Sequence, residues 1–221
     1  MKKYTIVAFD LDGTLTNPED GLLSAFIYAF KKLGVDAGDR ESLKRFIGPP
    51  LYDEWQKEFG WSFEEASDAV EVFREYYNVY GWWDNRVYPG IAEMLDELKR
   101  SGRRLVVATS KPEVTAIKVL KLFDLDKYFD CIAGASMNGS EDLKWQILSR
   151  AIRSVGGTPE ECILVGDRKF DAEGAQQVGC DSIGVTWGHG TVDELLDSGF
   201  NYFAADPRDV IDIVFKNGDV V

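Results

Sequence analysis

The chain has 221 residues, of which 38 are acidic and 25 are basic, giving a formal net charge of −13 and an isoelectric point near 4.6. This acidity argues against a nucleic-acid polymer or an anionic membrane as the main partner. The length allows one larger domain with an insertion and a sizeable core. No uncharged stretch approaches the roughly 18 residues of a membrane span.

The amino end leads directly into an expected strand, so we expect no signal peptide. Cys131, Cys162 and Cys180 are scattered among apolar residues without the spacing of a metal site. They are typical of reduced core thiols in a cytoplasmic protein. His189 is the only histidine, which leaves little room for histidine-based chemistry or a zinc site.

The first expected element is a buried strand that ends in two acids. The apolar residues 6–9 are followed by Asp10-Leu11-Asp12-Gly13-Thr14. Residues two apart in a strand face the same way, so Asp10 and Asp12 should point towards one site. Two carboxylates so close repel each other unless one protonates or a cation neutralises them. This pattern suits an aspartate that transfers phosphoryl groups, and a surface strand running into an Asx turn is the simpler alternative.

Residues 16–86 are predicted to be helical throughout. Apolar and aromatic residues recur at helical spacing in two stripes, Leu22, Phe26, Phe30 and Leu33, and then Ala66, Ala69, Val70, Phe73, Tyr76, Tyr77 and Tyr80. Gly48-Pro49-Pro50 predicts a rigid loop between helices. An insertion that directly follows the acidic loop is expected to lie over the active site as a lid.

From residue 87 onward, helical and strand patterns alternate. Strands are expected at 104–109, 129–133, 162–167 and 182–186, and helices at 91–98, from Pro112, and at 143–155. Alternation of this kind predicts a parallel, doubly wound sheet with its ligand site beyond the carboxyl ends of the strands. The expected fold is therefore α/β, with a Rossmann-like core of residues 1–15 and 87–221 and an inserted α-helical cap domain of residues 16–86.

Three further polar clusters lie at expected strand or helix ends. Thr109-Ser110-Lys111-Pro112 offers hydroxyls and free N–H groups that could cradle a phosphate, although Ser or Thr at a helix start is also an ordinary cap. Lys144 lies early in an amphipathic helix and, taken alone, is typical of a solvated lysine. Gly166-Asp167 ends an apolar strand, and Asp171 follows four residues later, where it could simply cap a helix.

Taken together and in this order, these motifs resemble the four signatures of the haloacid dehalogenase-like hydrolase superfamily, over essentially the whole chain. The position of the insertion looks like that of the superfamily's α-helical type 1 cap. Tyr88-Pro89-Gly90 and Phe46-Ile47-Gly48-Pro49-Pro50-Leu51 are similar to segments of phosphoglycolate phosphatase and 5′-nucleotidase-like members.

The resemblance implies a role for each acid. Asp10 would attack phosphorus and become an aspartyl-phosphate. Asp12 would protonate the leaving oxygen and later activate water. Mg²⁺ would be bound by the carboxylates of Asp10 and Asp167 and the backbone carbonyl of Asp12. Asp171 would orient Lys144 or a metal-bound water.

The remaining motif residues would hold the phosphoryl group. The resemblance assigns this role to the Thr109 hydroxyl, the Ser110 N–H and the Lys144 ammonium. Lys144 is expected to be nearly the only cation beside the four acids, so that catalysis should require a divalent cation. Lys111 flanks the phosphate site and could contact another anionic group of the substrate, as could Arg45, for which a solvated position is equally open.

The residues of the motifs discriminate between several activities of the superfamily. The presence of Asp12 disfavours a dehalogenase. Sugar phosphomutases of the β-phosphoglucomutase type usually have Asp-Gly-Val after the nucleophile, where this chain has Gly13-Thr14 after Asp12. They also tend to have Glu-Asp in the fourth motif, where this chain has Gly166-Asp167. Both differences favour a phosphatase. A mutase, a protein or peptide phosphatase and a catalytically silent binding module stay open as alternatives.

The expected activity is Mg²⁺-dependent hydrolysis of a small phosphorylated metabolite of the phosphoglycolate or nucleoside 5′-monophosphate type. Residues 15–86 hold 15 of the 28 aromatic residues. These rings could form the core of a small cap, or one or two of Trp55, Trp61, Trp82, Trp83 and Tyr52 could stack on a substrate ring. The sequence leaves open whether the protein is a monomer or a dimer.

Overall fold

A computed structural model describes residues 4–36, 38–48, 51–136 and 143–216. Its strands are β1 (Ile6–Phe9), β2 (Thr16–Asn17), β3 (Arg86–Val87), β4 (Arg104–Pro112), β5 (Cys131–Ala135), β6 (Cys162–Gly166), β7 (Asp181–Val185) and β8 (Tyr202–Ala204). Its α-helices are α1 (Glu19–Leu33), α2 (Leu51–Phe59), α3 (Phe63–Tyr76), α4 (Ile91–Arg100), α5 (Glu113–Leu122), α6 (Lys144–Ser154), α7 (Lys169–Val178), α8 (Val192–Asp197) and α9 (Pro207–Lys216).

Six of the strands form one parallel sheet in the order β5-β4-β1-β6-β7-β8. The four residues of β1 are fully buried, as expected for a strand covered on both faces. In register, Ile6 pairs with Arg104 on one side and Cys162 on the other. The expected Rossmann-like α/β core is therefore confirmed.

The strand order places a switch point at β1. The next strand of this sheet along the chain, β4, lies on one side of β1, and β6 lies on the other side. Ligands of open α/β sheets bind beyond the carboxyl ends of strands at such a point. Asp10 directly follows β1 and Asp167 directly follows β6, so both acids leave the sheet at this edge.

The apolar faces of the helices cover the sheet. One core cluster joins α6 to the central strands through residues such as Ile147, Leu148 and Leu164. Helix α4 buries Ile91, Met94, Leu95 and Leu98, which are the residues expected from its helical spacing. Among the described residues, no helix has the length and apolar character needed to cross a membrane.

The chain divides into two compact units, Met1–Asn17 with Val87–Val221, and Pro18–Arg86. The first boundary falls two residues later than expected, because Thr16 and Asn17 form the short strand β2, which pairs with β3. The inserted unit contains α1, α2 and α3, together with a 3-10 turn at Ser42–Phe46 and a π-helical turn at Tyr77–Gly81. Pro49 and Pro50 of the expected rigid loop lie outside the described residues.

The core of the inserted unit is aromatic. Trp55 is fully buried, with its ring centre 5.0 to 6.4 Å from those of Phe26, Phe30, Phe46, Trp61 and Phe73. Helix α3 begins with a capping box, in which Ser62 and Glu65 satisfy each other's backbone N–H groups. Aromatic packing and capping thus explain why this short segment forms stable helices.

Several expected element boundaries were wrong, most clearly those around β4 and β5. Strand β4 continues to Pro112 because the chain bulges after Thr109 and Pro112 then pairs with Ala135. The ψ of Pro112 is 129°, so this residue caps α5 instead of occupying its first turn. Strand β5 begins at Cys131, two residues later than expected, because Phe129 ends a 3-10 turn.

Candidate active site

The acidic loop after β1 turns sharply away from the sheet. The Asp10 N–H donates to the Val165 carbonyl at 2.9 Å, which ties the end of β1 to β6. Gly13 has a φ of +83°, a conformation that favours glycine. The N–H groups of Leu15 and Thr16 both donate to the Leu11 carbonyl, so the backbone of this loop is fixed by its own hydrogen bonds.

Lys144 is buried between two of the acids. It is the first residue of α6, its side chain is 7% exposed, and its Nζ lies 2.8 Å from Asp10 Oδ1 and 2.6 Å from Asp171 Oδ1. Burial alone would lower the pKa of Lys144, but the charges of Asp10 and Asp171 outweigh it and raise the pKa. The interpretation of Lys144 as a solvated residue was therefore wrong, because the buried Asp171 and the mostly buried Asp10 hold it in the interior.

Asp171 also forms the hydrogen bond expected of a helix cap. Its Oδ2 accepts the Arg168 N–H at 3.1 Å at the start of α7. Burial raises the pKa of Asp171 to about 6, against the opposing effect of Lys144. Asp171 thus holds the start of α7 with one oxygen and Lys144 with the other.

A second buried lysine contacts the other acid of the loop. The side chain of Lys111 is 4% exposed and its Nζ contacts Asp12 Oδ2. The bulge in β4 lies between Thr109 and Pro112, at the position of Lys111. The expectation that Lys144 would be nearly the only cation among the acids was therefore wrong. Lys111 faces Asp12, so the position first considered for a substrate contact is one that holds a carboxylate of the protein.

The two hydroxyl residues of β4 differ in exposure. Thr109 is buried, and its Oγ1 accepts the Lys111 N–H at 3.2 Å. Ser110 is exposed. Thr109, Ser110 and Lys111 therefore stand together at the carboxyl end of the strand next to β1.

The fourth acid, Asp167, is completely buried. Its Oδ2 accepts the His189 N–H at 2.8 Å, and its Oδ1 accepts the Thr14 hydroxyl at 3.3 Å. Burial, and then the charges of Asp171 and Asp10, raise the pKa of Asp167 well above its usual range. Within the described ranges, no lysine or arginine forms an ion pair with Asp167, in contrast to the other three acids.

Three of the acids form a cluster that could hold a metal ion. One carboxylate oxygen from each of Asp10, Asp167 and Asp171 lies within 4.8 Å of the others. The buried Oδ1 atoms of Asp10 and Asp12 accept no hydrogen bond from any described residue, although Asp10 Oδ1 is ion-paired with Lys144. A set of oxygen ligands with unused lone pairs fits Mg²⁺. The Asp12 carboxylate is outside this cluster and faces Lys111.

The loop after β7 also contacts the acids, although none of the sequence motifs includes it. It contains Trp187-Gly188-His189-Gly190, and its backbone reaches Asp167 through the His189 N–H. The Trp187 indole N–H donates to the Thr14 carbonyl at 3.0 Å. Two glycines close to a strand's carboxyl end were the available signal, since such glycines indicate close approach of the backbone to a neighbour.

The structure places the remaining candidates in the inserted unit. Arg45 pairs with Glu58 at 2.8 Å and lies over the Phe46 ring, with its side chain 40% exposed. Trp55 cannot stack on a ligand in this structure, because it is enclosed by the aromatic core. Trp83 is exposed, whereas Trp61, Trp82 and Tyr52 are half-buried. The three cysteines are free thiols, with Cys162 and Cys180 buried and Cys131 half-buried.

Comparison with known proteins places this fold and site in a family. The model of the haloacid dehalogenase-like hydrolases matches residues 7–185, and the chain belongs to this family. It is 38% identical over 204 residues to a 5′-nucleotidase of Pseudomonas aeruginosa, covering 92% of each chain. The crystal structure of a predicted phosphatase from Clostridium acetobutylicum superposes with a TM-score of 0.93 at 36% identity, covering 97% of this chain and 99% of the other.

A further relative has a different activity in its name. The chain is 38% identical over 188 residues to the tyrosine-protein kinase PtkA of Mycobacterium tuberculosis. This alignment covers 85% of this chain and 64% of the kinase. The family match and the phosphatase relatives identify this chain as a phosphoric monoester hydrolase of the haloacid dehalogenase-like type.

Proposed function

We propose that the protein hydrolyses small phosphate monoesters with Mg²⁺, through an aspartyl-phosphate at Asp10. The observation that carries this proposal is the cluster of Asp10, Asp167 and Asp171, of which the last two are buried, with the buried Lys144 between Asp10 and Asp171. Burying several like charges is costly unless they are paired, so their retention points to chemistry that needs them.

The charge of the site supports a divalent cation. When all four carboxylates, Asp10, Asp12, Asp167 and Asp171, are ionised, the two lysines Lys111 and Lys144 leave an excess of two negative charges among these six groups, and the raised pKa of Asp167 reflects that excess as well as its burial. A phosphate dianion would be repelled by that excess. Mg²⁺, when bound by Asp10, Asp167 and the Asp12 carbonyl, with Asp171 nearby, would supply the missing positive charge for the phosphoryl oxygens.

Side chains of the unit formed by residues 1–17 and 87–221 would carry out the remaining steps of the reaction. Asp10 attacks phosphorus, and the bond to the leaving oxygen breaks as Asp12 gives that oxygen a proton. Asp12 then takes a proton from a water molecule, whose oxygen attacks the aspartyl-phosphate and releases phosphate and free Asp10. Lys144 orients Asp10 through the 2.8 Å ion pair. The Thr109 hydroxyl, the Ser110 N–H and Lys144 hold phosphoryl oxygens in place.

For the substrate, a nucleoside 5′-monophosphate is our first candidate, supported by the 5′-nucleotidase of Pseudomonas aeruginosa. Phosphoglycolate is the second, and its support is the resemblance of the motif segments. We further propose that residues 18–86 form a cap that selects small substrates and that Arg45 or the exposed Trp83 takes part in the selection. Free thiols support a cytoplasmic location, and the net charge of −13 supports small metabolites over nucleic acid or membranes as partners.

Phosphoryl transfer involving protein tyrosine is a second candidate, favoured by the identity to the mycobacterial kinase. It makes a separate prediction. A tyrosine kinase would transfer the terminal phosphate of ATP to a protein, whereas a protein phosphatase would release phosphate from a phosphotyrosine peptide.

The test is phosphate release by the purified protein from nucleoside 5′-monophosphates, phosphoglycolate, sugar phosphates, p-nitrophenyl phosphate and a phosphotyrosine peptide. Each is assayed with Mg²⁺, with EDTA, and with the Asp10→Asn variant. We expect one small monoester to be preferred, with activity lost in EDTA, restored by Mg²⁺ and reduced at least ~10⁴-fold by Asp10→Asn. Phosphate release that persists in EDTA would refute the requirement for a metal ion. Phosphate release that persists in the Asp10→Asn variant would refute the role of Asp10 as nucleophile. Transfer from radiolabelled ATP to protein, without monoester turnover, would favour the kinase.

A further inference from the structure

The carboxylate of Asp167 is fixed by segments outside its own strand and helix. The loop of residues 187–190, which follows β7, donates the His189 N–H to Asp167 Oδ2 at 2.8 Å. From the other side, Thr14 of the acidic loop donates its hydroxyl to Oδ1 at 3.3 Å. The Trp187 indole joins these two segments through its 3.0 Å hydrogen bond to the Thr14 carbonyl. The Asp167 side chain is therefore held between two loops that bond to each other.

The space around this carboxylate admits no side chain. A Cβ added at Gly188 would lie 2.5 Å from Asp167 Oδ2 and 2.5 Å from the Gly13 carbonyl oxygen. A Cβ added at Gly13 would lie 2.5 Å from Asp167 Cγ. At Gly190 it would meet the Asp167 carbonyl oxygen. Separations this short force atoms to move, so glycines on both loops allow the backbone to close on Asp167.

The hydrogen bonds leave part of the carboxylate free. An ionised carboxylate has about four lone-pair positions, and the described residues use one on each oxygen. The Asp167 side chain can rotate only if its bonds to Thr14 and His189 break. A ligand that is oriented in advance loses less freedom when it binds a cation, and partners behind a metal ligand commonly contribute 10- to 100-fold in metal affinity.

We propose that the 187–190 loop is a positioning element that presents the Asp167 carboxylate to the divalent cation and thereby sets the cation affinity of the site. The inference rests on the proposed function, because it assumes that Asp167 is a cation ligand. Asp167 is held in position by the His189 N–H, by the Trp187 indole through Thr14, and by the close approach that the missing side chain of Gly188 allows. None of His189, Trp187 and Gly188 belongs to the acidic motifs.

The main test is the Gly188→Ala variant, with Mn²⁺ as the probe. Mn²⁺ binding is measured from the loss of the free-ion EPR signal, and Mg²⁺ binding from its competition with Mn²⁺. Because the added methyl displaces Asp167 or the loop, we expect Mn²⁺ to bind at least about 10-fold more weakly than to the wild type. This readout measures the cation itself and does not depend on finding the substrate.

Gly184→Ala is the matched control. Gly184 lies on β7, near the loop in sequence, and its added Cβ would lie 2.9 Å from the Phe200 ring, away from Asp167. The contact at Gly184 is less severe than the one at Gly188 but still forces atoms to move, so we expect a lower melting temperature and Mn²⁺ affinity within about twofold of the wild type. If both glycine variants weaken Mn²⁺ binding equally, the effect is general destabilisation and the inference is overturned.

Trp187→Phe covers the case in which Gly188→Ala does not fold. It keeps a ring but deletes the donor to Thr14, and we expect Mn²⁺ affinity to fall by about threefold or more. Wild-type Mn²⁺ affinity in Trp187→Phe or in a folded Gly188→Ala would overturn the inference.

The same Mn²⁺ measurements distinguish a failure of the proposed function from a failure of this inference. Wild-type protein that binds no Mn²⁺, or that binds it as well after Asp167→Asn, would refute the cation site itself. Weakened binding in Asp167→Asn together with unchanged binding in Gly188→Ala would refute only the role of the loop.

Discussion

The two compact units of the chain differ in whether they bury charged side chains. In the inserted unit, Pro18–Arg86, the buried residues are apolar and aromatic, and ion pairs such as Lys32–Glu75 and Arg45–Glu58 lie at the surface. In the other unit, Met1–Asn17 with Val87–Val221, which contains the six-stranded sheet and is called the sheet unit below, Lys111 and Lys144 are buried against carboxylates. Both units have an apolar interior, but among the described residues only the sheet unit also buries charged side chains.

This difference separates stability from function. Surface ion pairs contribute little to stability, and aromatic packing is sufficient for a small helical unit. A buried charge costs several kcal/mol to desolvate, and its pairing seldom returns a net gain over apolar packing. The buried charges of the sheet unit therefore lower its local stability, which agrees with the catalytic role that we propose for them.

The largest stability effect is expected in the aromatic interior. Trp55→Ala removes a fully buried indole that packs on five other rings and should lower the free energy of unfolding by about 4 kcal/mol. Urea denaturation followed by circular dichroism measures the change. Trp83→Ala, at an exposed ring of the same unit, is the control and should change it by less than about 0.5 kcal/mol. Equal effects would mean that the packing of this unit does not depend on Trp55.

The next effect tests the buried charges. Lys144→Met leaves Asp10 and Asp171 without their lysine and should cost about 3 kcal/mol of stability, measured by urea denaturation in EDTA. It should also reduce kcat/KM by about 10³-fold, since Asp10, the proposed nucleophile, loses its orienting cation. Lys99→Met breaks the exposed pair with Asp130 in the same unit and should leave activity unchanged. Similar losses in both variants would remove the distinction between buried and surface charges.

Lys111→Met should have a smaller effect that falls on one catalytic step. The variant removes the contact that holds Asp12 and should lower stability by about 2 kcal/mol. Since we propose that Asp12 acts on the leaving oxygen, kcat should fall by about 10²-fold with little change in KM. A rise in KM with unchanged kcat would instead identify Lys111 as a substrate contact. Steady-state kinetics on the preferred monoester distinguish the two outcomes.

The smallest effect is expected at the surface of the inserted unit. Arg45→Met breaks the exposed pair with Glu58 and should lower the free energy of unfolding by less than about 1 kcal/mol. If Arg45 contacts the substrate, KM rises while stability is unchanged. If both stay at wild-type values, the residue is only a solvated partner of Glu58.

Much of the architecture was predictable because it depends on local patterns. A continuous apolar run before Asp10, and another before Asp167, indicated buried parallel strands, and the alternation with helical stripes predicted how they would be arranged. Parallel strands of one sheet end at the same edge, so the convergence of Asp10 and Asp167 followed from the pattern alone. Phe26 and Phe73, expected on helical stripes, lie in the aromatic core.

The state of the charged side chains was decided only by the tertiary structure. The burial of Lys144 depends on two acids from different elements, and Lys111 meets Asp12 across 99 residues of sequence, with a strand bulge at its position. The contact of the 187–190 loop with Asp167 uses a backbone N–H, which has no signature in residue type. Periodicity records which residues are apolar along one element, whereas an ion pair depends on where two distant elements meet. The sequence therefore determined the sheet and the edge at which the acids lie, and the tertiary structure alone decided which cation, hydroxyl or N–H each acid received.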